Sequence, residues 1–435
     1  MPASATLYAM IHQWFTVQDY PNHVTGRKAL CRQVTAVLTS QSLRPAARVR
    51  ALPSAKPVSA RQAFRCQQRA LRRKALAPAQ LTPVQVRSAV GLHPPRPGAA
   101  VLVALDSVRC GAWEVFTVGM VWAGRTVILG WRVLPYPWPK KTFTPAVCGL
   151  VREVAAAFPA QQQVHLVADR GFPSKAFFST LQEVGWGWTV RLSSRNWVVE
   201  TAAAGATAED GYDGVVRGLY DEEQAGSWTT PTVRFGRAHR AVSGTLVVGR
   251  PAFEPPAHQQ GPASRAARRR QAQRRLHDLH LKHPGQADGS ALTDPWMALF
   301  TTLPPAQAVA QYRRRWAIEG SYRDAQSGWD GQHGWDLEAV VSAQPDAAGV
   351  EHLVGLWAVS ALIQTWLGSQ VVCGPQRVRQ VAQGWTTTGR LSIWARGKLV
   401  LQDTTERLTT WLEMTMNRGA ARLAVRGPTY PCAAA

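Results

Sequence analysis

The chain has 435 residues, in which 50 Lys and Arg stand against 27 Asp and Glu, a formal net charge of +23 at pH 7. With 46% hydrophobic residues and 18 Trp it can bury a large core, which excludes a disordered or staple-dependent chain, and its charge favours a polyanionic partner. Six cysteines (Cys31, Cys66, Cys110, Cys148, Cys373, Cys432) lie far apart with no Cys-x-x-Cys pair, so neither a disulfide framework nor a zinc knuckle is expected, and a reducing cytosol is the simpler compartment.

The N-terminus, MPASATLYAMIHQWF, lacks a charged region ahead of a long apolar core, so no signal peptide is expected. Arg61, Arg65, Arg69 and Arg72 recur every three or four positions, which places them along one face of a helix, and no acidic residue occurs between Asp19 and Asp106. Such a stripe suits a row of phosphates. The Pro- and Gly-rich stretch LTPVQVRSAVGLHPPRPGAA then reads as a linker, giving a basic helical domain and linker over 1–95.

From residue 101 the period changes. VLVALDSV, WEVFTVGMVW and TVILGWRVL read as strands, the last two joined by the turn at Ala123–Arg125. A helix over Thr144–Phe158, a strand beginning at His165–Ala168, a helix over Ser174–Val184 and a strand over Gly187–Leu192 complete an α/β mixed-sheet core, first part 96–194. Residues 195–295 are less regular. They hold the strand-like TVRFG and GTLVVGR, a breaker-rich segment, and the strongly cationic helix candidate SRAARRRQAQRRLHDLHLKH, and they read as a partly β insertion.

The core resumes over 296–372, where Pro304 and Pro305 start a helix running past Glu319. The charge-free segment HLVGLWAVSALIQTWLGSQVVCGPQ holds Gln364, Ser369 and Gln370, which favours a buried helix over a membrane span. Residues 373–435 are expected to be a C-terminal helical region.

In so basic a chain the placement of each carboxylate is informative. Asp106 ends the strand VLVAL, and Asp169 ends HLVA just before Arg170, Gly171 and Phe172. Carboxylates at two core strand ends are costly unless partnered, and are placed as ligands for hard cations would be. In QYRRRWAIEGSYRDAQSG, Tyr312, Arg315, Glu319 and Gln326 fall within about 60° of one another at 100° per residue. Together these residues fit a three-carboxylate site for two Mg²⁺ ions, with Arg and Tyr holding the phosphate. His277, His280 and His283 are better explained by a basic helix than by a metal site. No Gly-x-Ser-x-Gly elbow and no phosphate loop is present, which argues against a serine nucleophile and ATP dependence.

Asp106, Asp169 and Glu319 resemble the DDE triad of an RNase H-like transposase. The spacing Tyr312, two residues, Arg315, three residues, Glu319 resembles the signature of the IS4-type (Tn5-like) insertion-sequence transposases. Asp169-Arg170-Gly171-Phe172 resembles that family's Asp-x-Gly-aromatic block. The segment PWMALFTTLPP resembles the strand whose Trp, here Trp296, stacks on a flipped base. The signature's final Lys is Gln326 here, with Arg323 one turn earlier.

The resemblance implies an RNase H-like core, a β-rich insertion domain, an N-terminal helical DNA-binding domain and a C-terminal region suited to dimerisation. It also implies two Mg²⁺ ions, with Mn²⁺ able to substitute, double-stranded DNA as transposon ends and target, a homodimer in the synaptic complex, no membrane, and a bacterial cytoplasmic, nucleoid-associated location. The implied activity is cut-and-paste transposition through strand cleavage, hairpin formation and strand transfer, with Tyr312, Arg315, Arg323, Gln326, Arg170 and Trp296 on DNA. Two alternatives stay open: an RNase H-like nuclease that never joins strands, and a catalytically impaired, transposase-derived DNA-binding protein.

Overall fold

The structure, a computed structural model, describes residues 3–21, 23–51, 59–72, 74–96, 98–193, 195–200, 213–216, 228–229, 232–236, 242–249, 297–326, 334–370 and 393–402. Trp296, the cationic segment with His277, His280 and His283, and most of 195–295 and 373–435 lie outside the described residues. The chain divides into two compact units. One comprises Met1–Ala168, Ala176–Gly187 and Gln311–Ala435, and the other Asp169–Lys175 and Trp188–Ala310.

The first unit begins with helices α1 (Ala3–Val17), α2 (Val24–Ser40), α3 (Pro45–Ala51), α4 (Ala60–Leu71) and α5 (Pro78–Leu92). Three strands follow: β1 (Val101–Cys110), β2 (Trp113–Trp122) and β3 (Arg125–Pro135). The β2–β3 turn passes through Ala123 and Gly124 at φ 48° and 79°. That backbone matches the right-handed twist of a tight hairpin. Helix α6 (Phe143–Ala156) then turns Val147, Leu150, Val151 and Val154 inward and packs on β3, and β4 (Val164–Ala168) pairs parallel with β1. The strand order β3-β2-β1-β4 therefore combines two antiparallel pairs with one parallel pair. This mixed α/β arrangement is consistent with an RNase H-like core.

Two expectations change here. The stretch beginning at Leu81 is not a linker but most of α5, in which Leu81, Val84, Val86, Ala89 and Leu92 are buried and the helix packs on β3. Burial of an apolar face outweighs the helix-breaking tendency of Pro83, while Pro78 sits at the helix start, where a missing N–H costs nothing. Strand β1 also does not end at Asp106. It continues to Cys110, because its outer half keeps pairing with β2 after the parallel register with β4 has stopped at Leu105 and Ala168.

The remaining helices of this unit include α7 (Lys175–Glu183), which begins one residue before the unit's own segment, and, further along, α8 (Pro305–Arg313), of which Gln311–Arg313 belong here, and α9 (Trp316–Ala325). They are followed by α10 (Leu337–Ser342), α11 (Ala347–Gln370) and α12 (Ile393–Gln402). Helix α11 is the charge-free segment. It is long and apolar enough to cross a membrane by length and composition, yet 78% of its apolar window is buried, so it reads as the core helix expected from its Gln and Ser residues. It packs on β3, α2, α5 and α12, with Trp131 Nε1 donating to the Glu351 carbonyl at 2.8 Å and Trp14 meeting Trp366 edge to face. Arg125 and Asp324 pair at 2.5 Å and fasten α9 to the β2–β3 hairpin.

The second unit is largely β. Its strands β5 (Gly187–Arg191), β6 (Trp197–Glu200), β7 (Asp213–Val215), β8 (Trp228–Thr229), β9 (Thr232–Phe235), β10 (Val242–Gly249) and β11 (Met297–Thr301) run in the order β5-β11-β10-β9-β6-β7, with β8 on β10. Thr232–Phe235 of TVRFG and residues 244–249 of GTLVVGR form strands as expected. Phe300 is fully buried between Trp188 and Phe235, and the Thr189 and Thr301 hydroxyls share a hydrogen bond of 2.8 Å.

Candidate active site

Asp106 lies on β1 opposite Thr117 of β2. Its Oδ1 accepts the Ser107 backbone N–H at 2.8 Å, and its Oδ2 accepts Arg315 Nη1 at 2.8 Å. Arg315 Nη2 donates to Glu319 Oε1 at 2.7 Å, so one guanidinium joins the strand carboxylate to the helix carboxylate. The side chains are 5% exposed for Arg315, 17% for Asp106 and 33% for Glu319, so solvent reaches both acids while the cation between them is buried.

Glu319 is placed by the opposite, buried face of α9. Tyr322 and Thr117 share a hydroxyl hydrogen bond of 2.6 Å, and Ser321 Oγ accepts the Thr126 N–H at 2.7 Å. Burial, then the charge of Asp106, holds the Tyr322 hydroxyl protonated well above the ordinary tyrosine range. The Ser and Tyr that follow Glu319 are thus its anchors on the sheet.

The single continuous helix expected from Pro305 past Glu319 is interrupted at Arg314 and Arg315. There the backbone N–H groups of Arg314 and Arg315 bond to the carbonyls three residues back, Gln311 and Tyr312. The tighter turn re-aims the face: Tyr312 is buried at 3% exposure, 5.7 Å from the Arg315 guanidinium, and Gln326 is the C-cap of α9 at ψ −88°, off the helical face. Arg323 is exposed. A residue that the sequence pattern did not single out is Trp316, whose indole is 53% exposed with the Arg315 guanidinium 5.4 Å from its ring. Its place three residues before Glu319, on the adjoining part of the face, was the available signal.

β4 ends at Ala168, whose register partner on β1 is Leu105, and Asp169 is the residue that follows β4 in the chain. Asp169 opens the short segment of the second unit, where its carbonyl accepts the Phe172 N–H at 3.3 Å, Phe172 is buried and Arg170 is exposed. Among the described residues, no three His, Cys, Asp or Glu side chains are gathered closely enough to hold a metal ion. The first unit instead presents two hard oxygen donors already bound to a cation, the guanidinium. That donor chemistry fits Mg²⁺ or Mn²⁺, and Arg315 marks where positive charge is stabilised.

Nearby in the same unit, a cleft of about 450 Å³ is lined by His93, Arg96, Met120, Val121 and Arg314. His93 stacks on Trp122 at 4.6 Å, and burial, then Arg314, pulls its pKa down. A cationic lining with an apolar floor suits a phosphate-bearing partner.

In this mixed α/β core a strand aspartate and a helix glutamate share one buried arginine. Residues 144–333 match the family model described as "Transposase DDE domain". The matched stretch contains Asp169 and Glu319 and begins after Asp106. No curated protein matches the chain. The match supports a DDE transposase, which implies an enzyme that cuts DNA in transposition and a protein that binds DNA; such enzymes generally use divalent metals.

Proposed function

We propose that this chain is an IS4-type transposase that excises an insertion sequence and joins it into new DNA. The observation that carries the reading is the convergence of Asp106 and Glu319 on one cation, in a chain whose residues 144–333 match the transposase family. Asp169, one residue beyond the last β1–β4 pair, would be the third carboxylate. Asp106, Asp169 and Glu319 would hold two Mg²⁺, which when bound supply Lewis-acid activation of the attacking oxygen and charge stabilisation of the leaving oxygen; Mn²⁺ could substitute.

The chain's own residues do the rest. Tyr312 and Arg315, with Arg323 and Arg170, grip the end phosphates, and Gln326 makes a neutral contact where the family resemblance expects a cation. Trp296 receives the flipped base. Water attacks the scissile phosphorus and the bond to the 3′ oxygen breaks. The freed 3′-hydroxyl then attacks the phosphorus on the opposite strand, closing a hairpin as the bond to the flanking DNA's 3′ oxygen breaks and that DNA leaves with a 3′-hydroxyl; a second water reopens the hairpin at the same phosphorus and regenerates the element's 3′-hydroxyl for strand transfer. The helical residues 1–95 recognise the ends, the C-terminal region pairs two protomers across the synapse, and the reaction takes place in the bacterial cytoplasm on nucleoid DNA.

Glu319→Gln should abolish Mg²⁺-dependent nicking of a duplex carrying the element's inverted repeat while leaving its binding nearly intact in a mobility-shift assay. Nicking that survives this change overturns the assignment. Gln326 favours one second reading, a transposase-derived DNA-binding protein without catalysis. Cleavage by the unaltered chain with added Mn²⁺ eliminates it.

A further inference from the structure

The proposed site gives Arg315 two tasks that compete for the same atoms. A guanidinium carries five N–H donors in one rigid plane, and both of its terminal nitrogens are engaged here, Nη1 with Asp106 at 2.8 Å and Nη2 with Glu319 at 2.7 Å. Gripping a DNA phosphate calls on those nitrogens. A divalent ion seated on the same carboxylate oxygens would meet a buried positive charge in direct contact with them.

We propose that Arg315 is a guard cation: without DNA it occupies the carboxylate oxygens that a divalent metal would take, and it yields them when a DNA phosphodiester offers a replacement anion. The inference deepens the transposase reading and rests on it. No covalent bond changes. Two ion pairs are exchanged for others, Arg315 passing from Asp106 and Glu319 to the phosphate while the metal takes the vacated oxygens.

Three features support the exchange. Arg315 stands at the break between α8 and α9, where its backbone belongs to a turn and not to a helix interior. Buried Tyr312 and the exposed indole of Trp316 flank its guanidinium at 5.7 and 5.4 Å, two aromatic neighbours that tolerate a planar cation during the move. Glu319 is one-third exposed, so the oxygens to be claimed are open to an arriving ion. Linkage then makes DNA and metal bind cooperatively, each raising the affinity for the other by the same factor. The DNA-free protein stays metal-poor, and cleavage competence waits for substrate.

The test measures Mn²⁺ alone, by electron paramagnetic resonance titration of the full chain without DNA. Arg315→Ala and Arg315→Gln should bind Mn²⁺ at least about tenfold more tightly than the unaltered protein. Adding Glu319→Gln to either should remove the gain, and thermal melting checks that each variant is folded. A duplex carrying the element's own end should tighten Mn²⁺ binding in the unaltered protein and leave Arg315→Ala unchanged. Equal or weaker Mn²⁺ binding by folded Arg315 variants overturns the guard and leaves the transposase reading standing. No Mn²⁺ binding by any form, with or without DNA, overturns both.

Discussion

His165 sits inside β4, 5% exposed, and burial draws its pKa down to about 4. In the unfolded chain it titrates near ~6.5. Between those two values the unfolded state binds a proton that the folded state refuses, so stability is complete above ~6.5 and falls as the pH drops toward 4, by up to about 3 kcal/mol. Urea melts at pH 7, 5.5 and 4.5 should trace that decline, and His165→Asn should flatten it; an unchanged slope would assign the acid sensitivity elsewhere. At this scale Asp106 stood out in the sequence because carboxylates are scarce in a +23 chain and an unpartnered acid beside a core strand is expensive, and Glu319 because it shares a helical face with Tyr312 and Arg315. It could not reveal that Arg315 serves both. Periodicity names a face, not a partner, and the turn at Arg314 and Arg315 breaks the even 100° spacing on which Gln326 was placed.

Helix α11 shows why one element was read correctly and its neighbour was not. Its freedom from charge, with scattered Gln and Ser, is a property of composition and survives any change of register. The Pro-rich start of α5 instead depends on what it touches, and β3 lies more than 30 residues further along the chain. Gly355 marks a close contact of α11. A Cβ there would lie 2.5 Å from the Leu76 carbonyl oxygen and 2.9 Å from the Trp131 ring, and a backbone oxygen cannot swing aside. Gly355→Leu should therefore destabilise by about 1–3 kcal/mol or more, despite leucine's better helix propensity. Gly349→Ala, whose new methyl meets only the movable ends of Gln344 and Asp346, should change the denaturation midpoint little. Equal effects from the two would show that the α11 interface yields.

For the molecule as a whole, the excess of 23 positive charges predicts DNA binding that weakens steeply with salt. The exposed side chains of Arg61, Arg65, Arg69 and Arg72 on and beside α4 are one contributor that can be isolated. Changing Arg61, Arg65 and Arg72 together to Ser should reduce the slope of log affinity against log salt by about 0.9 for each phosphate that is no longer neutralised. A slope that does not move would mean that this row faces solvent and not DNA. The division into two units was only partly legible: TVRFG and GTLVVGR read as strands from their local composition, whereas the return of the chain to the first unit at Gln311 depends on packing between segments far apart in sequence.

Asp106 and Arg315 are 209 residues apart along the polypeptide, with Glu319 later still. A ribosome takes roughly 10–40 s to cover that distance. The basic amino-terminal helices are therefore born first and the carboxylate–guanidinium cluster is completed last, so a half-made chain already displays its arginine row while Asp106 still waits for the cation that will neutralise it.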